Sequence, residues 1–164
     1  MKSSDKLLIG IVSGIIILVV VALVITMNRP EPTYMADDMP EGVVHNYLLA
    51  LQKEEYLRAY GYLSPTVYNY PASTYIFELT VRGNSYRFRL ERDIDVSVGD
   101  AAISGKFATV KVTESRFYGG DLFDSGQRIS TFNMELQLEG DHWKIVDSYH
   151  YFASCWTDED RDCH

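Results

Sequence analysis

The chain has 164 residues, 46% of them apolar, and carries 23 acidic against 15 basic side chains, a net charge of −8. That length suits one domain with an appendage. The apolar content belongs to a folded protein rather than a disordered one, and the acidic balance argues against nucleic-acid binding. One block distorts the average: residues 7–26 include 16 apolar residues and no charge. Without it about 42% of the chain is still apolar, enough for a packed core.

Twenty helical residues rise about 30 Å, the thickness of a bilayer's hydrocarbon core. The stretch is longer than the apolar region of a secretory signal, and it has neither a small-x-small cleavage site nor a following Cys. It therefore reads as an uncleaved transmembrane helix over 7–27, after a cytoplasmic tail over 1–6. Lys2 and Lys6 precede it and Arg29 alone follows closely. This bias predicts a cytoplasmic N-terminus and an extracytoplasmic C-terminal domain at the cell membrane. Gly10 and Gly14 give a G-x-x-x-G spacing through which two such helices can pack.

Residues 28–39 carry two prolines and no periodicity, and read as a linker. A helix is predicted from Pro40, capped by Asp38, with Glu41 in its first turn. Val44, Tyr47, Leu48 and Leu51 share one face of it. Tyr56, Ala59, Tyr60 and Leu63 form a second helical stripe that ends at Ser64-Pro65. Ser73 caps a third helix running to about Arg82, and Gly83-Asn84 turns.

From Tyr86 the period becomes two. Tyr86, Phe88, Leu90, Ile94, Val96 and Val98 alternate with charged residues and predict one long strand, or two meeting at a bulge near Arg92. Gly99-Asp100 reads as a turn. Ala108, Val110 and Val112 form the next strand, and residues 119–126 a connecting loop. Phe132, Met134, Leu136 and Leu138 form a third strand, Glu139-Gly140-Asp141 a hairpin turn, and residues 143–152 the last strand. Helices followed by an antiparallel sheet make an α+β two-layer domain over 40–154. Residues 155–164 remain as an acidic, Cys-bounded tail.

The run over 40–52, the following Tyr56-Leu57-Arg58-Ala59-Tyr60 and the terminal Gly140-Asp141-His142-Trp143-Lys144-Ile145-Val146-Asp147 together resemble nuclear-transport-factor-two-like domains, also called SnoaL-like. The resemblance implies a cone: three N-terminal helices held in a curved antiparallel sheet, with a concave pocket. The Gly119-Gly120 loop and the Cys-containing tail depart from the family pattern. The family hosts many functions, so the fold does not carry one over. Some of its enzymes pair a pocket Tyr with Asp to isomerise or dehydrate small molecules, and many members dimerise through the open face of the sheet.

Asp147 is the one catalytic candidate, because strict alternation puts it on the face of Trp143, Ile145 and Tyr149. Tyr47, Tyr60, Trp143 and Tyr149 are the ligand-pocket candidates. Asp93 and Asp95 share a polar face with Arg87 and Arg89, the pattern of a solvated surface. His45, His142, His150 and His164 show no metal-ligand spacing, so neither a metal nor a cofactor is expected. In an exported domain Cys155 and Cys163 predict a disulfide closing a nine-residue loop, worth about 2–3 kcal/mol.

These features point to a non-catalytic, membrane-anchored extracytoplasmic binding or scaffold module. Its architecture resembles the bitopic scaffold subunits of type IV secretion systems. Its expected partners are the lipid bilayer, envelope proteins and a second copy of itself, and its cone could hold a small ligand or peptide. The competing expectation is a membrane-tethered isomerase or hydratase-like enzyme that uses Asp147 and a pocket Tyr.

Overall fold

The computed structural model describes the backbone of residues 3–27, 32–88, 94–121, 124–153 and 156, and the side chains of residues 9–25, 32–84, 87–88, 94–116, 126–153 and 156. The chain divides into two units, residues 1–33 and residues 34–164. The first contains helix α1 (Ser3–Met27). Its side chains are described over 9–25, every one of them exposed. Among the described residues no helix is long and apolar enough to cross a membrane. Residues 9–25 rise only about 25 Å as a helix, short of a hydrocarbon core of about 30 Å. The side chains at both ends of the expected span lie outside the described residues.

The second unit opens with an irregular stretch and then helix α2 (Pro40–Gln52). The predicted start at Pro40 is met, but its cap is Met39 and not Asp38. A residue before proline is driven into extended backbone, and Met39 sits at φ −118°, ψ 149° with no side-chain cap. Its carbonyl accepts the first helical bond, from the Val43 N–H at 3.1 Å. Val44, Tyr47, Leu48 and Leu51 are buried as expected, and so are Val43, Asn46 and Ala50. A helix buried on nearly every side is a central one; α2 packs against α3 and three strands of the sheet.

Helix α3 (Tyr56–Tyr62) ends at Leu63, whose extended backbone leads into Ser64-Pro65. Helix α4 (Thr74–Gly83) starts where the sequence predicts, with the Ser73 side chain accepting from the Ile76 N–H at 3.3 Å. Its inward face is Phe77 and Val81.

Residues 85–88 form a short helix, α5 (Ser85–Phe88), rather than a strand. The Asn84 carbonyl accepts from both Arg87 and Phe88, at 2.9 and 3.1 Å, and this turns the chain. The Arg87 carbonyl then accepts from the distant Tyr151 N–H at 3.0 Å. Three even-numbered apolar residues imitated a strand, but tertiary bonds decide the local geometry.

The sheet is a four-stranded antiparallel meander in the order β1 (Ile94–Ser104), β2 (Phe107–Asp121), β3 (Asp124–Glu139) and β4 (His142–Ser148). Gly99-Asp100 is no turn. It lies inside β1, where the register shifts between Val98 and Ala101 in a one-residue bulge. The turn comes six residues later, with Gly105 at φ +60° in the tight connection to Phe107.

The expected loop over 119–126 is also largely ladder. Gly119 pairs with Ser125, and Asp121 with Asp124. The predicted hairpin at Glu139-Gly140-Asp141 is present, with Gly140 at φ +61°. The free edge of β4 is covered by the end of α3: Leu63 bridges Ile145, and the Ser64 N–H donates to the Ile145 carbonyl at 2.9 Å.

The core lies between the helices and one face of the sheet. Ala108, Val110 and Val112 of β2 and Phe132, Met134 and Leu136 of β3 supply the floor. The domain is thus the α+β two-layer arrangement that the sequence predicts, with four helices rather than three. Its edges differ from 40–154. Tyr34 packs against the core at one end and Trp156 lies inside it at the other.

Candidate functional site

A pocket in such a domain would lie between the helices and the concave face, so the candidate residues are placed against that interior. Tyr47 reaches it from the middle of α2 and is wholly buried. Its hydroxyl donates to the Tyr151 carbonyl at 2.5 Å. Burial raises its pKa well above the ordinary tyrosine range, because a phenolate has no solvation there. A phenol has one proton to give, and that of Tyr47 is committed to the backbone.

Tyr60 sits at the rim of the core, its hydroxyl donating to the Pro71 carbonyl at 3.0 Å and its ring 5.1 Å from that of Tyr70. The pKa of Tyr70 is raised too, by burial first and then by its hydrogen bond with Tyr60. Trp143 is buried where β4 pairs with Leu138 of β3. Tyr149 is 78% exposed and takes no part in the interior.

Asp147 is exposed as well. Strict alternation from Trp143 would have turned it inward, but β4 carries a bulge. Leu136 pairs with Ile145 while Glu135 pairs with Asp147, so Val146 is the extra residue. One inserted residue exchanges the two faces of a strand. Trp143 and Ile145 point in before the bulge, and Ser148 points in after it. The structure therefore brings Tyr47, Tyr60 and Trp143 to the core or its rim and leaves Asp147 and Tyr149 outside.

Gly10 and Gly14 lie on α1 with open space beside each. His45 and His150 are half-buried and His142 is exposed. Asp95 is exposed on β1. Among the described residues no group of His, Cys, Asp and Glu could hold a metal ion. Asp93, Arg89, Cys155, Cys163 and His164 lie outside the described residues.

Aromatic rings occupy the interior. Trp156 is 1% exposed. Its ring stacks on Phe77 of α4 at 5.2 Å and 21°, with Phe88 of α5 and Phe152 meeting it edge-on at 5.9 and 5.4 Å. Tyr56 and Tyr60 meet Phe77 edge-on at 6.5 and 5.9 Å. Sequence reasoning placed Trp156 in the tail. The signal available was one large aromatic in an otherwise acidic run, a residue type that seldom stays in water. Glu114 on β2, paired with Val96 of β1 and Ser130 of β3, is only 2% exposed; its place in the alternation with Val110 and Val112 was the available signal.

Among the described residues a groove runs between the start of α3 and α4, lined by Glu54, Glu55, Tyr56, Leu57, Arg58, Thr74 and Glu78. Its carboxylates are matched by cations: Glu55 with Arg58 at 3.0 Å, and Glu78 and Glu54 with Arg82 at 2.9 and 3.6 Å. Such exposed pairs are worth little individually.

The sequence matches no protein-family model and no curated protein. Several solved structures are similar. One is an NTF2-like protein with a cystatin-like fold from Novosphingobium aromaticivorans, 12% identical, with a TM-score of 0.45, covering 66% of this chain and 75% of that one. A second, an uncharacterised cystatin-fold protein from the same organism, is 10% identical with a TM-score of 0.40 over 69% of this chain and 100% of that one. A SEC-C motif containing protein from Rhodopseudomonas palustris is 10% identical with a TM-score of 0.45, covering 70% and 80%.

Proposed function

We propose that the chain is a non-catalytic binding module, anchored in the cell membrane by α1 and presenting its α+β domain outside the cytoplasm to envelope proteins. The observation that carries this reading is the aromatic packing between the helices and the sheet. There the buried Trp156 ring packs against Phe77, Phe88 and Phe152. Tyr47 and Tyr60 spend their hydroxyl protons on backbone carbonyls. The one acid placed beside them by the sequence faces solvent. A module of this kind acts by contacting envelope proteins through its surface, or by holding a small ligand or peptide.

The anchoring rests on the apolar run over 7–26 and the bias of Lys2 and Lys6 over Arg29. Gly10 and Gly14 suit pairing of two anchors. In that compartment Cys155 and Cys163 form a disulfide.

The test is to express the full chain with a C-terminal epitope in a bacterial host. The epitope should stay with membranes through alkaline carbonate and be digested by protease added to spheroplasts. Release by carbonate would remove the anchor, and protection in spheroplasts would reverse the orientation. Thiol counting without reductant should find no free cysteine; two titratable thiols would remove the disulfide.

A further inference from the structure

The edges of the sheet are not alike. An edge strand offers unpaired N–H and C=O groups to any extended chain, and folded proteins guard such edges with charge, bulges or cover. β1 carries the bulge between Val98 and Ala101, with Asp95 and Asp100 exposed along it. β4 is covered at Ile145 by the end of α3. A further edge belongs to β3. That strand begins at Asp124, but its pairing with β4 begins only at Met134. After Ser148 the chain leaves the ladder. His150 and Tyr151 set their rings against Phe132 at 5.1 and 5.8 Å, and the Tyr151 N–H turns to the Arg87 carbonyl.

Asn133 fixes which backbone groups this leaves open. Its carbonyl accepts from the Ser148 hydroxyl at 3.2 Å, so it points toward the β4 side. Backbone groups of successive residues point to opposite sides of a strand, so the N–H and C=O of Thr131, Ile129 and Gln127 point that way too. Among the described residues nothing bonds these backbone groups there.

This edge has none of the usual guards. Its register with β2 is unbroken from Gly126 to Gln137. Residues 126–134 contain no Pro, Lys, Asp or Glu, and Ile129 is 62% exposed. The charge present is Arg128, which is exposed and has no ion pair among the described residues. Its partner across the ladder is Arg116, so β2 supplies no carboxylate opposite it. In a chain of net charge −8 this strip is locally basic. When an open edge takes up an added strand, main-chain bonds supply affinity and alternate side chains select the sequence.

We propose that the β3 edge at Gln127, Ile129 and Thr131 is a docking site for an acidic extended segment of a partner protein, which adds to the sheet as a further strand. Strand alternation sets the segment's pattern. Its side chains beside Ile129 and Thr131 are apolar or β-branched, and those on the opposite face, beside Arg128, are Asp or Glu. This deepens the binding reading and rests on it, while standing apart from the anchor and the orientation.

The experiment uses the full chain in detergent. The probe is a fluorescein-labelled peptide of alternating Val and Asp, and the control alternates Val and Lys. The Val-Asp peptide should bind at least about tenfold more tightly. Hydrogen exchange at the Ile129 and Thr131 amides, fast in the free chain, should slow when this peptide saturates, while the Ser130 amide, turned toward β2, stays slow throughout. Arg128→Glu should reverse the preference between the two peptides. Thr131→Pro removes an edge donor and should abolish binding without lowering the unfolding temperature, because the fold makes no use of that N–H.

No binding, equal binding of the two peptides, or binding that leaves both amides fast would each overturn the proposal. Slowing of the same amides when the chain alone is concentrated would assign the edge to a second copy and overturn the acidic partner. If Thr131→Pro does not fold, the Arg128→Glu reversal and the exchange measurement decide. A chain that carbonate releases but that still binds the Val-Asp peptide would lose the anchor and keep this site. A chain that stays in the membrane and ignores the peptide would lose only this site.

Discussion

Asn46 on α2 and Met35, eleven residues earlier, exchange two hydrogen bonds: the Asn46 Oδ1 accepts from the Met35 N–H at 2.8 Å, and its Nδ2 donates to the Met35 carbonyl at 2.8 Å. One side chain thus satisfies both backbone groups of a residue that has no strand or helix of its own. Gly42 lies one turn before Asn46 on the same helix face, and its missing side chain makes room for the Ala36 carbonyl. The Tyr34 ring lies under the Arg58 guanidinium at 3.9 Å, with the Lys53 ammonium 5.5 Å from its centre. Residues 34–36, expected as linker, are docked on the domain at three points.

Asn46→Ala should release this strap. Two hydrogen bonds at about 1 kcal/mol each predict a loss of about 2 kcal/mol, the buried side chain leaving no water route to replace them. Urea unfolding of the full chain measures it. Hydrogen exchange at the Met35 amide should accelerate at the same time; an unchanged rate would mean that the pairing does not hold the strap.

Gly42→Ala should act on the same strap by a different route. A Cβ there would collide with the Ala36 backbone carbonyl, and a backbone atom cannot step aside as a flexible side-chain end can. The expected cost is about 1–3 kcal/mol. Because both substitutions free one segment, the double variant should lose less than the sum of the two. Full additivity in unfolding measurements would show that the contacts are independent.

Stability should fall with rising pH above about pH 10. Tyr34 is pushed up to about 12, first by burial, then by the Glu55 carboxylate, against the opposing Arg58 charge. Burial raises Tyr47 and Tyr70 as well. In the unfolded chain a tyrosine loses its proton near 10. Above that pH the unfolded state binds fewer protons than the folded one, so unfolding becomes easier. The contribution is complete below pH 10 and is lost as pH climbs through the folded values. Urea midpoints from about pH 9 to about pH 12 should decline, and Tyr47→Phe should flatten the decline. Phenol absorbance titrating entirely near 10 would contradict it.

The β4 bulge predicts a contrast between residues two apart. Ile145→Ala should cost about 2–5 kcal/mol, as a large-to-small change in a filled core. Asp147→Asn should change stability by less than about 0.5 kcal/mol, as an exposed substitution. Equal costs in thermal unfolding would put Asp147 back on the inner face.

What was legible in the sequence follows a physical boundary. The Val44-Tyr47-Leu48-Leu51 stripe, the Ser73 cap and the alternation through Met134 and Leu136 are local signals carried by a few adjacent residues, and each gave the right element. Tyr86 and Phe88 failed because a run of three apolar positions fits two periods, and a bond from Tyr151 chose between them. Gly99 failed because glycine serves a bulge as readily as a turn. Asp147 failed because one inserted residue, Val146, is invisible in a sequence yet exchanges the two faces of the strand.

By itself, the sequence determined an acidic chain with a long apolar N-terminal run, helices before strands, and a core built on the inner faces of β2 and β3. Those properties depend on composition and on periodicity over a few residues, which a linear string displays. Only the tertiary structure decided which side of β4 Asp147 occupies, that Asn46 fastens Met35, and that Trp156 seats itself on Phe77. Each of these depends on residues brought together from separate parts of the chain, and no local pattern records how a chain closes on itself.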